Sequence, residues 1–180
     1  MSFLKLFLLI SFLTIPVYAG SDFKINTGKD ECKLRLKGWE SKAFTGISEL
    51  CDQLYIVNGK NKKIVLSDDF GININLFSST TAFLEKVEDL ENEAPIIRIV
   101  KGKSKIIIEN SSTLQLRLPS ANLVLKKCVI LIMVKDGKSM IKLKSGESII
   151  ISSASVIDEL HSGHTAFIGT NGELKIAKNK

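Results

Sequence analysis

The sequence predicts an α+β unit followed by an all-β unit: a small strand-helix-strand-strand-helix-hairpin module over residues 20–112, then an antiparallel β sandwich or meander over 113–180. Three observations predict this. Apolar residues recur at helical spacing in two places before residue 112 and nowhere after it. Alternation of apolar and polar residues, the period of a half-buried strand, runs through both parts. From residue 113 onward, turn signals return about every nine residues, the rhythm of short antiparallel strands.

In the first unit, Cys32–Lys37 alternates and reads as a strand. Phe44, Ile47, Leu50, Cys51 and Leu54 then mark one face of a helix over roughly 41–54. Tyr55–Val57 and Lys63–Leu66 flank an Asn58-Gly59 turn and read as paired strands. Ile72–Phe77 alternates as a strand over most of its length. Ser78–Thr81 offers N-caps for a second helix, whose apolar face is Phe83, Leu84, Val87 and Leu90 and which stops before Pro95. Ile96–Val100 and Lys105–Ile108, around Lys101-Gly-Lys-Ser104, read as a closing hairpin. Asn110-Ser111-Ser112 is the polar junction between the units.

In the second unit, Leu114–Leu118 alternates. Val129–Val134 is a continuous apolar run, read as a strand buried on both faces. Asp136-Gly137, Ser145-Gly146, Ser162-Gly163 and Asn171-Gly172 are the turn signals.

The chain has 180 residues, a formal charge of +6, 44% hydrophobic and 24% charged residues. These are globular values, and they exclude wholesale disorder and fibrous chains. No apolar run reaches the roughly 20 residues of a membrane span. The start has the three-part layout of a secretory signal peptide over 1–19: a basic Met1–Lys5, the apolar Leu6–Ile15, and Pro16-Val-Tyr-Ala19 ending on a small residue. The expectation is therefore an exported protein, periplasmic in a bacterium and not integral to the membrane after cleavage.

Three cysteines, Cys32, Cys51 and Cys128, allow one bridge and one thiol in an oxidising compartment. If the helix over 41–54 packs on the first strand, Cys32 and Cys51 point into one core and are the candidate pair. Three buried, unbridged thiols is the alternative reading.

The first unit resembles the secretin and TonB-receptor short amino-terminal (STN) domain, a periplasmic α+β fold. The likeness rests on Cys32–Lys37, the segment Leu50-Cys-Asp-Gln-Leu54, Lys63–Leu66, the Leu84…Leu90 helix and the Ile96–Ile108 hairpin. The second unit is similar to the FecR-type periplasmic domain. Its landmarks are Leu118-Pro-Ser-Ala121, Val134-Lys-Asp-Gly137, Ile141–Gly146, Leu160-His-Ser-Gly163 and Gly172–Ile176. That family usually carries Arg-Gly-Thr shortly after Pro-Ser-Ala, where this chain has Lys126-Lys127-Cys128. The resemblance implies a non-enzymatic accessory, binding or signalling component of the bacterial envelope. Its partner would be an envelope protein complex or an outer-membrane receptor. The alternatives are an adaptor subunit of a secretin-based secretion or pilus machine, and a small periplasmic metal-binding protein or hydrolase.

The metal alternative rests on His161 and His164, with Asp158 and Glu159 nearby; the Ser162-Gly163 turn between the histidines argues against a helical ligand pair. Asp68 and Asp69 are a second acidic pair, in a loop context. No catalytic residues and no cofactor are expected. Charge is uneven: residues 113–180 hold 10 basic and 5 acidic side chains, with Lys126, Lys127, Lys135, Lys138, Lys142 and Lys144 supplying most of the excess. This basic part offers a contact for an anionic envelope surface. Lysines that blunt exposed strand edges are the simpler reading. Nucleic acid is not an expected partner.

Overall fold

The computed structural model describes residues 23–28, 32–36, 42–49, 54–59, 63–85, 94–154 and 156–179. In chain order the strands are β1 (Lys24–Asn26), β2 (Cys32–Leu36), β3 (Lys42–Phe44), β4 (Ile47–Glu49), β5 (Leu54–Asn58), β6 (Ile64–Ser67), β7 (Ile72–Leu76), β8 (Thr81–Glu85) and β9 (Ile96–Ile108). There follow β10 (Thr113–Leu118), β11 (Ala121–Lys126), β12 (Cys128–Lys135), β13 (Lys138–Gly146), β14 (Ile149–Ser153), β15 (Ile157–Leu160), β16 (His164–Ile168) and β17 (Leu174–Lys178).

Pairing sorts these strands into two sheets that meet at β9. Sheet A runs β4-β1-β6-β7-β9-β12-β13-β16-β17. Sheet B runs β3-β2-β5-β8-β9-β10-β11-β14-β15. All these pairs are antiparallel except β9 with β10. Strands β1–β8 put four members into each sheet on one side of β9. Strands β10–β17 do the same on the other side.

The alternating pattern of each strand explains the packing. Inward positions are almost all aliphatic: Ile25, Ile56, Leu66 and Ile74 before β9; Ile97, Ile99, Ile106 and Ile108 on it; Leu116, Leu125, Ile132, Ile141 and Ile151 after it. They form one continuous core between the sheets. Burying each such side chain contributes about 1.5–3 kcal/mol.

Strand β9 is the hinge of this design. Its first part, up to Lys101, pairs with β8 in sheet B, and from Gly102 onward it pairs with β12 in sheet A. The bend falls at Gly102, which has φ 100°. A Cβ there would lie 2.5 Å from the Thr80 Cα, so the close approach of two backbones requires glycine. Thr80, fully buried, spans the break: its Oγ1 donates to the Lys103 carbonyl (2.8 Å) and accepts from the Lys103 N–H (3.0 Å). Buried Asn58 holds the same corner by donating from Nδ2 to the carbonyls of Leu76 (2.8 Å) and Phe77 (2.9 Å).

The α+β expectation for the first unit is therefore corrected: the described residues contain strands and no helix. Where a helix was expected over 41–54, the chain forms β3, β4 and the start of β5. Phe44 and Ile47 belong to successive short strands rather than to one helical face. The second expected helix starts inside β8, where Phe83 faces outward and Leu84 inward, a period of two. Three- and four-residue spacing in short strands broken by turns imitates a helical stripe. Residues 50–53 and 86–93 lie outside the described residues. The expected hairpin over Ile96–Ile108 is also corrected. Lys101-Gly-Lys-Ser104 is a bend within one 13-residue strand, not a reversal. Asn58-Gly59 joins no hairpin: β5 lies in sheet B and β6 in sheet A.

After β9 the local signals match the strands. Asp136 (φ 50°) and Gly137 (φ 74°) make a two-residue hairpin turn between β12 and β13, closed by the Lys135–Lys138 pair. The apolar run Val129–Val134 is β12, but only Ile130, Ile132 and Val134 are buried; Val129, Leu131 and Met133 are half-exposed on the other face. Asn110–Ser112 is the loop between β9 and β10. It is tied to the loop before β7 by Asn110 Nδ2 and Ser112 Oγ, which both donate to the Phe70 carbonyl (3.1 and 2.7 Å).

Candidate interaction surface

Sheet B presents an ordered row of side chains on its outer face. Register places Arg35 beside Tyr55, Tyr55 beside Phe83, Phe83 beside Arg98 and Arg98 beside Arg117. The row continues through Asn122 to Ser152. The Tyr55 and Phe83 rings stack at 4.3 Å, and the Arg35 guanidinium sits 4.8 Å over the Tyr55 ring. Such contacts contribute roughly 0.5–1.5 kcal/mol each beyond area burial.

Arg98 and Arg117 lie side by side on the one parallel strand pair, and like charges there would repel. Glu85, at the end of β8, resolves this. Its carboxylate is mostly buried, at 10% exposure, and accepts from the Arg98 guanidinium at 2.6 Å and from Arg117 Nη1. The cluster joins β8, β9 and β10, one strand from each side of β9 and β9 itself. Charge-assisted bonds of this kind fix geometry as well as adding energy.

Next to the cluster lies a groove of about 460 Å³. Gln115 and Arg117 of β10, Asn122, Val124 and Lys126 of β11, and Ile150 and Ser152 of β14 line it, with Glu147 and Ser148 at one end. Val124 and Ile150 are cross-strand neighbours, 50% and 59% exposed, and form its apolar floor. The groove thus combines apolar side chains with amide, hydroxyl and charged groups. Val156 and Ile157 at the edge of the sheet extend the apolar area.

The residues singled out in the sequence are placed as follows. Cys32 is buried on β2, and Cys51 lies outside the described residues, so the candidate bridge has only one described end. Cys128 is a buried free thiol. Burial pushes its pKa up to about 11, aided by the nearby Glu147 charge and partly offset by a backbone hydrogen bond at Lys126. The His161 and His164 rings are 6.3 Å apart, and His164 Nδ1 is 3.2 Å from the Ser162 carbonyl. Ser162-Gly163 is a turn. Glu159 is engaged by Ser148 Oγ, and Asp158 accepts from the Glu159 N–H. Among the described residues no three potential ligands gather around the histidines. Asp68 Oδ1 accepts from the N–H groups of Phe70 (3.1 Å) and Ile72 (2.7 Å), shaping the turn before β7. Asp69 pairs with Lys24 at 3.0 Å.

Sequence reasoning missed Glu85, Arg98 and Arg117. They come together from three strands, and the only local signal was the outward phase of Arg98 and Arg117 in alternating runs. The expected basic group divides. Lys126 faces outward on sheet B, Lys127 sits in a turn at φ 30°, and Lys135 and Lys138 flank the β12–β13 turn. Lys142 lies on the outer face of sheet A.

No family model matches the chain, and no curated protein matches it. Its fold is similar to that of a candidate anti-sigma factor from Parabacteroides distasonis, solved at 1.65 Å and again at 2.50 Å resolution. Both structures superpose with a TM-score of 0.58 at 10% sequence identity, over 69% of this chain and 59% of that one. The chain thus spans less than two thirds of the length of that structure. What the two share is the fold.

Proposed function

We propose that this protein is a non-enzymatic, FecR-like component of a bacterial envelope signalling system, acting by contact with a protein partner. The observation that carries the reading is the fold shared with the candidate anti-sigma factor over 69% of the chain. The FecR-type landmarks of residues 118–176 agree with it, and the groove between Arg117, Val124 and Ile150 supplies a surface of the right chemistry. We place the protein in the periplasm on the strength of the signal-peptide layout of Met1–Ala19. The partner is an envelope complex or an outer-membrane receptor.

Two measurements test this. Alkaline phosphatase fused after Lys180 becomes active only when exported, so an inactive fusion removes the periplasmic placement. Deleting the gene in its native host should change a small, coherent set of transcripts. Re-expression of wild-type protein should restore them, and a Val124→Asp/Ile150→Asp variant should not. An unchanged transcript profile on deletion rejects the signalling role.

A further inference from the structure

The geometry points to a second surface: the outer face of sheet A, from β9 to β17, seats the protein on an anionic lipid surface. Two adjacent rows carry the argument. In one, Lys105 of β9 faces Leu131 of β12, which faces Lys142 of β13. In the other, Lys103 faces Met133, Met133 faces Met140, Met140 faces Phe167 of β16, and Phe167 faces Lys175 of β17. Apolar side chains thus run across three strands, β12, β13 and β16, with lysines on both flanks. Phe167 is 47% exposed, and Leu131, Met133 and Met140 are half-buried.

Edge protection does not account for these lysines. Lys103, Lys105 and Lys142 sit on β9 and β13, which have hydrogen-bonded neighbours on both sides, and only Lys175 is on an edge strand. Nor does the rest of the same face look alike. Before β9 the corresponding outward positions are Asn26, Val65, Ser67, Asn73 and Asn75, one apolar residue among polar ones, with Lys24 paired to Asp69. On the basic side no carboxylate shares the rows. Glu173, in the loop before β17, pairs with Lys175 at 2.9 Å and leaves the other three lysines untouched.

The chemistry favours lipid over an acidic protein. Lysine offers a compact charge on a long apolar stem, without the fork that matches one carboxylate geometry. Its stem can lie along Leu131 or Met133 while the ammonium reaches a phosphate. A half-exposed Phe167 beside partly exposed Leu131, Met133 and Met140, set between basic residues, suits the boundary between headgroups and acyl chains. This inference does not depend on the signalling role.

The test is co-sedimentation of the full chain with equimolar phosphatidylglycerol–phosphatidylcholine vesicles and with pure phosphatidylcholine vesicles. Every variant carries the same first 19 residues, so any pull from the apolar Leu6–Ile15 is common to all. Wild-type protein should bind the anionic vesicles more tightly than the zwitterionic ones and lose that excess as salt rises. Lys105→Gln/Lys142→Gln should weaken binding about thirtyfold. Lys33→Gln/Lys63→Gln, the same charge change elsewhere, should weaken it far less. Phe167→Ser should weaken it several-fold at every salt concentration. Equal binding to both vesicle types by the wild type overturns the inference, as does an equal loss from the two lysine pairs. If polyglutamate competes as well as vesicles do and Phe167→Ser changes nothing, the face is a site for acidic protein and the lipid assignment falls. Circular dichroism of each variant separates lost binding from lost fold.

Discussion

The strands before β9 and those after it contribute equally to the two sheets, yet they are specified differently. After β9, strands are longer, up to the nine residues of β13, and successive hairpins alternate between the sheets. Each hairpin closes locally, as Asp136-Gly137 does. Before β9, strands have three to five residues, and β5 pairs with β2 and β8, neither of them its neighbour in the chain. Buried polar side chains, Asn58 and Thr80, hold the corners there. The side after β9 closes mainly through local hairpins; the side before it has two, β2–β3 and β6–β7, and otherwise depends on long-range pairs. Non-local pairing of this kind closes late, because loop entropy is spent before contacts return it.

Separating the sides is the most severe way to break the comparison. A fragment of 113–180 lacks β9, the neighbour of both β10 and β12, and so exposes two interior strand edges and the inward face of β12. It should fail to unfold cooperatively in urea and should aggregate. A soluble fragment with a sigmoidal transition would show that the turn-coded side is self-sufficient.

The next largest effect should come from Gly102. Gly102→Ala puts a methyl into the Thr80 backbone at a positive φ, and should cost about 3 kcal/mol or more in chemical denaturation. Gly137→Ala, at a turn of the other side with only the Thr170 methyl 3.1 Å away, should cost about 1 kcal/mol. Equal losses would remove the distinction between a shared bend and a local turn. Thr80→Val keeps the shape but takes the Thr80 acceptor from the Lys103 N–H, while the Lys103 carbonyl keeps the Phe77 N–H, and should cost about 1–2 kcal/mol. Glu85→Gln, whose two arginine partners are 49% and 40% exposed, should cost about 1 kcal/mol, more at low salt than at high.

The pH effect at Cys128 is absent at neutral pH and emerges only in alkali. Its folded pKa, about 11, lies above the ordinary 9.0, because burial favours the neutral thiol. Its contribution is fully present below pH 9 and declines as pH rises through 11, since the unfolded chain ionises first. Cys128→Ala should therefore flatten the alkaline limb of the stability profile over that window. An identical limb in the variant would assign the decline to other groups.

How much was legible in the sequence follows the same division. Leu114–Leu118 and the turns at 136–137, 162–163 and 171–172 could be read because alternation and turn chemistry are local properties; Val129–Val134 could be read as a strand, but its unbroken apolar run hid that only one face is fully buried. The two helices could not be rejected in the same way. Phe44 and Ile47 are three residues apart whether the chain coils or breaks into two short strands, and nothing in that spacing says which partner strand is waiting. Gly102 among polar residues looks like a reversal, and only the positions of β7, β8 and β12 make it a bend that carries one strand from sheet to sheet. The Glu85–Arg98–Arg117 cluster and the lysine-flanked row on sheet A draw residues from strands separated by tens of residues. Sequence by itself determined the β character and the turns after residue 113, and the phase of the alternating β10, because these follow from side-chain alternation and backbone φ. Tertiary structure alone decided that the earlier segments are strands, that β9 unites both sets, and which side chains share a face, because pairing partners are chosen by burial across the whole chain.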